Sequence, residues 1–215
     1  MSTQEIKSPE LAEVEVEMDR GSFLVKGALT AGAIYGSLAV GPFVRRALAQ
    51  SGSSDADILN FALTLEYLES AFYEQGLMTA KLGSEQKSVA KEIGSNEKDH
   101  VDALMGAISD LGAKPVEAPA VDFGNAVNSQ SGFLELAQTL EDTGVSAYNG
   151  AGPMLKSKEL LGVAGSIAQV EARHAARIRL LNGDNPAPDP FDPSLTMDEV
   201  LKAVQPFVKS TNGAM

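Results

Sequence analysis

The chain has only two histidines, His100 and His174, and each follows a glutamate by three residues: Glu97-x-x-His100 and Glu171-x-x-His174. Residues three apart on an α-helix share a face, so both members of a pair can reach one ion. The two pairs are offset by 74 positions. A second recurrence accompanies them: Thr64-Leu65-Glu66 with Tyr73, and Thr139-Leu140-Glu141 with Tyr148, offset by 75 at all four positions. One structural unit is thus written twice, with the same chemical residues at the same places. Glu66 and Glu141 add one carboxylate per half. Four carboxylates and two imidazoles aimed into a core would be ruinous alone, because buried carboxylates must be paired or coordinated. Two divalent cations would balance four carboxylates. This oxygen-rich donor set with two imidazoles suits iron or manganese better than zinc or copper.

The elements that must position these residues read as helices. From Asp55 to Leu82, Ile58, Leu59, Ala62, Leu65, Leu68 and Phe72 fall at helical spacing, with Ser54 or Asp55 available as N-cap. A second helix is expected from about Ser84 to Leu111, before Gly112. Residues 112–130 carry Pro115, Pro119 and Gly124 and read as a connection. A third helix starts near Ser131, and Gly152-Pro153 should kink or split it. A fourth runs from about Ser157 to Leu181 and stops at Asn182-Gly183. Residues 184–215 form a proline-rich tail in which a short amphipathic helix, Ser194 to about Val208, should dock through Val200, Leu201, Val204 and Phe207. The first and last connections are short, so those helix pairs are antiparallel hairpins. The middle connection is long enough to cross the whole bundle, since extended chain covers about 3.3 Å per residue. The expectation is an all-α four-helix bundle, residues 50–183, with one long crossover.

Composition narrows the chemistry further. The 215 residues carry a formal net charge of −12, which opposes binding to nucleic acid and to anionic membrane surfaces. Cysteine is absent. That excludes a disulfide scaffold, a thiolate-held zinc or iron–sulfur centre, and a cysteine nucleophile.

Residues 1–49 read as a leader. An acidic stretch precedes an apolar run over residues 23–44, broken by Lys26 alone, and Ala47-Leu48-Ala49 precedes Gln50. That tripeptide is what a signal peptidase reads. Asp19-Arg20-Gly21-Ser22-Phe23-Leu24 resembles a twin-arginine export signal, with Gly21 where a second arginine would stand. Export to the cell envelope or beyond is the expectation. The alternative is a retained anchor, because 22 apolar residues just span a bilayer.

The segments ILNFALTLEYLESAFY, TLEDTGVSAYNGAGP and VEARHAARIR resemble the bacterial ferritin-like domain family, which includes desiccation-related proteins. The likeness spans roughly residues 55–182. It implies the ferritin-like fold and a di-iron or di-manganese carboxylate centre. Carried over by position, Glu66, Glu97, His100, Glu141, Glu171 and His174 match the six ligands. Glu97 and Glu171 would bridge two ions, and Glu66 and Glu141 would each hold one. Glu69 has two readings. It is a seventh ligand, as in peroxide-reducing relatives, or a solvated or supporting carboxylate, since its repeat partner is Gly144. Tyr73 and Tyr148 could hydrogen-bond a ligand carboxylate, shuttle an electron, or pack in the core.

The activity expected is oxidation of Fe(II), or reduction of peroxide or oxygen, in stress protection. A manganese-catalase-like site is a close variant that needs no reductant. Otherwise electrons must come from an external donor, and homo-oligomers are conceivable. The competing class is a non-enzymatic structural or binding module of the envelope in which the metal is a staple. Bulk iron storage would need a closed shell of subunits.

Overall fold

The computed structural model describes residues 54–209. The expected leader, its apolar run and its cleavage site lie outside the described residues. Among the described residues no helix is long and apolar enough to cross a membrane.

Four long helices carry the core: α1 (Asp55–Thr79), α2 (Ser84–Asp110), α3 (Gln130–Ala151) and α4 (Lys158–Asn182). A short α5 (Met197–Val204) follows. The described residues are otherwise loops, single 3-10 turns and one isolated bridge. Ser54 caps α1 and forms a reciprocal capping box with Asp57, satisfying donors that a helix N-terminus leaves orphaned. Asp55 turns the other way. Its carboxylate accepts from the backbone N–H groups of Lys156 and Ser157, at 2.8 and 2.9 Å, tying the start of α1 to the α3–α4 connection.

Three boundaries depart from expectation. The first helix ends at Thr79 rather than Leu82, because Lys81 lies in the left-handed region at φ 52°. Thr79 Oγ1 also donates to the Val127 carbonyl at 2.6 Å, anchoring that end to the crossover. Gly152-Pro153 neither kinks nor splits α3 but ends it, passing into a 3-10 turn over Gly152–Met154; proline has no N–H to continue the ladder. The tail helix is shorter than 194–208. Thr196 caps it with Glu199 in a capping box, and a 3-10 turn containing Pro206 closes it. Gly183 stops α4 as expected, in the left-handed conformation at φ 83°.

Paired contacts set the topology. Helices α1 and α2 run antiparallel, with Tyr67 beside Met105 and the Asn60 side chain accepting from the Val116 N–H at 2.8 Å. Helices α3 and α4 do the same, through Arg179 and Asp142 at 2.7 Å and Asn182 and Gln138 at 2.7 Å. Residues 111–129 leave the end of α2, near the start of α1, and reach α3 beside the end of α1, so the connection crosses the bundle lengthwise. The segment after α5 clasps this crossover: the Lys209 N–H donates to the Ala120 carbonyl at 2.8 Å and the Asp122 N–H to that of Phe207 at 2.9 Å. Val200, Leu201 and Val204 are buried while Phe207 is half-buried. The result is an all-helical bundle with one long crossover and a short C-terminal helix.

Candidate metal centre

Each long helix sends an acidic or imidazole side chain into the middle of the bundle. Glu66 comes from α1, Glu97 and His100 from α2, Glu141 from α3, and Glu171 and His174 from α4. The four carboxylates are 0% exposed, so water compensates none of them. Their donor atoms fall into two groups. Glu66, Glu97, His100 and Glu171 converge within 4.8 Å of one another, and so do Glu97, Glu141, Glu171 and His174. Glu97 and Glu171 belong to both. The structure therefore brings together all six residues singled out by spacing, in two overlapping sets of four.

In the first set His100 Nδ1 hydrogen-bonds Glu66 Oε2 at 3.2 Å and Glu97 Oε2 at 3.3 Å, whereas contacts in the second set are close without hydrogen-bond geometry. His174 Nδ1 lies 2.9 Å from Glu97 Oε1 and 3.4 Å from Glu141 Oε2. Yet His174 Nδ1, Glu97 Oε1, Glu141 Oε2 and both oxygens of Glu171 have no hydrogen-bond partner. These unpartnered atoms belong to residues whose donor atoms lie within 4.8 Å of one another. Orphaned buried polar atoms are costly, and a cation between them removes the cost. The donor set fits divalent metal ions on this ground.

Burial and mutual repulsion distort the acidities. Burial pushes Glu66 up to about 8, despite the opposing His100 hydrogen bond. Burial, reinforced by neighbouring carboxylates, raises Glu171 well above the usual range, and burial raises Glu141 too. Burial also acts to raise Glu97, but the adjacent His100 and His174 imidazoles overcome it and hold the carboxyl at about 2. Burial alone would lower His174, whereas the facing carboxylates of Glu141 and Glu97 lift it to about 10.

The two tyrosines cross between the hairpins. Tyr73 of α1 donates to Glu141 of α3, and Tyr148 of α3 donates to Glu66 of α1. Both phenols are buried and pushed up, by burial first and then by the carboxylates they face. Packing aims Tyr73. Its ring meets Phe72 and Phe133 edge-on, at 5.3 and 5.7 Å, while Phe72 stacks on Phe133 at 4.8 Å. Phe133 can press this close to α1 only because Gly76 lacks a side chain; a Cβ there would stand 2.1 Å from the ring.

Glu69 is not solvated. It is 3% exposed, among the other carboxylates, and burial pushes it well above the usual range, with Glu171 adding repulsion. Its three-residue spacing from Glu66 signalled the shared face, but its partner position, Gly144, pointed away from burial. Sequence reasoning missed Asn96, whose amide lies 3.0 Å from His174 Nε2. Asn96 acts across helices, so no local spacing announces it.

A lengthwise-crossed helical bundle with carboxylates and imidazoles repeated across its two hairpins defines a ferritin-like protein with a buried cluster able to hold metal. The ferritin-like domain family matches residues 54–184, and the chain belongs to it. A search of curated protein sequences finds no significant match.

Proposed function

We propose that the chain holds two iron or manganese ions and acts as an oxidoreductase, oxidising Fe(II) or reducing peroxide or oxygen in stress protection. One observation carries this reading: the two donor sets overlap at Glu97 and Glu171, so two ions would share two carboxylates. Glu66 with His100, and Glu141 with His174, would complete one position each. When bound, such a pair of ions supplies two redox equivalents side by side and shares the charge of a small oxygen species.

The chain's own residues do the rest. The four fully buried carboxylates neutralise the ions and keep bulk water out. Tyr73 and Tyr148 hold the terminal carboxylates in place from the opposite hairpin. Cysteine is absent, so an electron donor for peroxide reduction would be a separate molecule. We also propose, from the apolar run and Ala47-Leu48-Ala49, that residues 1–49 direct export. N-terminal sequencing of the protein from the producing cells should begin at Gln50.

The functional test is elemental analysis followed by turnover. Natively purified protein should hold close to two ions per chain, mainly iron or manganese, and the Fe(II)-loaded form should consume oxygen or peroxide over repeated additions. Bound metal without consumption would instead make the centre a structural staple.

A further inference from the structure

The two halves, α1–α2 and α3–α4, supply the same donor types but differ behind the histidines. His174 presents Nδ1 to the carboxylates, 2.9 Å from Glu97 Oε1, and Nε2 to the Asn96 amide, with Nδ2 placed 3.0 Å away. For Nδ1 to give its lone pair to an ion, the ring proton must sit on Nε2. That N–H then needs an acceptor. The Asn96 amide provides one through its oxygen, which a half-turn of the terminal amide exchanges with nitrogen in nearly the same space.

His100 has no such neighbour at the equivalent place. The offset of 74 that relates Glu97 to Glu171 relates Asn96 to Val170, which offers no polar atom. The contacts of His100 run through Nδ1, to Glu171, Glu66 and Glu97 at 3.1, 3.2 and 3.3 Å. Its side chain is also the more exposed, 10% against 4% for His174. An oriented, hydrogen-bonded imidazole is a stronger ligand than one whose far nitrogen is left to solvent.

We propose that Asn96 is a positioning residue that selects the Nε2–H form of His174 and makes the Glu141–His174 position the tighter of the two. The inference rests on the metal-binding reading above. It is tested by anaerobic Co(II) titration of the metal-free protein, followed by visible absorption, with nitrogen NMR reporting the ring tautomers. The parent should bind two ions in separate steps, with Nε2 of His174 protonated after the first. Asn96→Val, which copies the other half's residue, should weaken the first step by about 10–100-fold and leave the second unchanged. Asn96→Asp, which keeps an acceptor, should preserve both steps. A parent-like titration by Asn96→Val, or equal weakening of both steps, overturns the inference while the metal reading stands. A parent that binds no Co(II) removes both.

Discussion

The carboxylate of Glu69 lies over Gly144, the residue that holds its own equivalent position in the second half of the chain. A Cβ on Gly144 would stand 3.1 Å from Glu69 Oε1 and 3.0 Å from Glu171 Oε2. The missing side chain in one half makes the room that the extra carboxylate in the other half fills. Gly144→Ala separates helix stability from site geometry. Alanine in mid-helix favours α3 by about 1 kcal/mol, and the atoms it crowds are ends of side chains. The metal-free protein should melt no lower than the parent, while metal affinity falls because Glu171 is displaced. A melting scan and a metal titration on one sample check this.

The crossed tyrosines give the second expectation. Tyr148→Phe removes the hydrogen bond to Glu66, and Tyr73→Phe the one to Glu141. Each should cost about 1–3 kcal/mol, the usual penalty for leaving a buried polar group short of a partner. Each should also weaken mainly the metal position on the opposite hairpin's terminal carboxylate. Urea unfolding of the metal-free variants, paired with stepwise metal titration, distinguishes this from simple core packing, which would leave the titration unchanged.

Shared and terminal carboxylates should differ sharply. Glu97→Ala removes a residue common to both donor sets and should lower occupancy at both positions and abolish two-electron turnover. Glu141→Ala touches one set and should leave the other position filled and some activity. Metal content by elemental analysis and stopped-flow oxidation of Fe(II) by peroxide read the difference. Equal losses in both variants would contradict the sharing.

Metal-free stability and the gain from metal should respond to pH in opposite senses. In the metal-free fold His174 keeps its proton to about 10, against an ordinary 6.5. Between those values the folded chain binds a proton the unfolded chain has lost, so stability falls as pH rises. Glu66, raised by burial from 4.5 to about 8, acts in the same direction between 4.5 and 8. Glu97, held at about 2, adds stability above 4.5 that is lost as pH falls toward 2. The metal-free protein should therefore melt higher at about pH 6 than at about pH 9. Bound metal needs deprotonated ligands, so the gain in melting temperature on adding Mn(II) should grow over the same rise.

The convergence of the six donor residues was legible because histidine is scarce and the repeat keeps its spacing, so each residue has a counterpart in the other half. Helix α5 was legible only in outline. Thr196-Met197-Asp198-Glu199 carries the capping-box spacing that places its start, a local signal finer than the apolar pattern. The end of α1 at Thr79 was not legible, since a lysine rarely adopts the positive φ seen at Lys81. The tyrosine crossing, the burial of Glu69 and the reach of Asn96 depend on how helices distant in sequence face one another, and a single helix's periodicity carries no record of that.

The crossing has a consequence for how such a chain could arise and diverge. Each donor set takes three residues from one hairpin and the fourth from the other, and each terminal carboxylate leans on the other hairpin's phenol. One hairpin alone is an incomplete site, whereas two identical hairpins related by a twofold axis would complete each other. Identical copies must change in pairs: a glutamate at the place of Glu69 would appear in both, and so would an asparagine at that of Asn96. Joining the halves into one polypeptide lifts that constraint. Glu69 against Gly144 and Asn96 against Val170 are differences that two identical copies could not carry, and they make the two overlapping donor sets unequal.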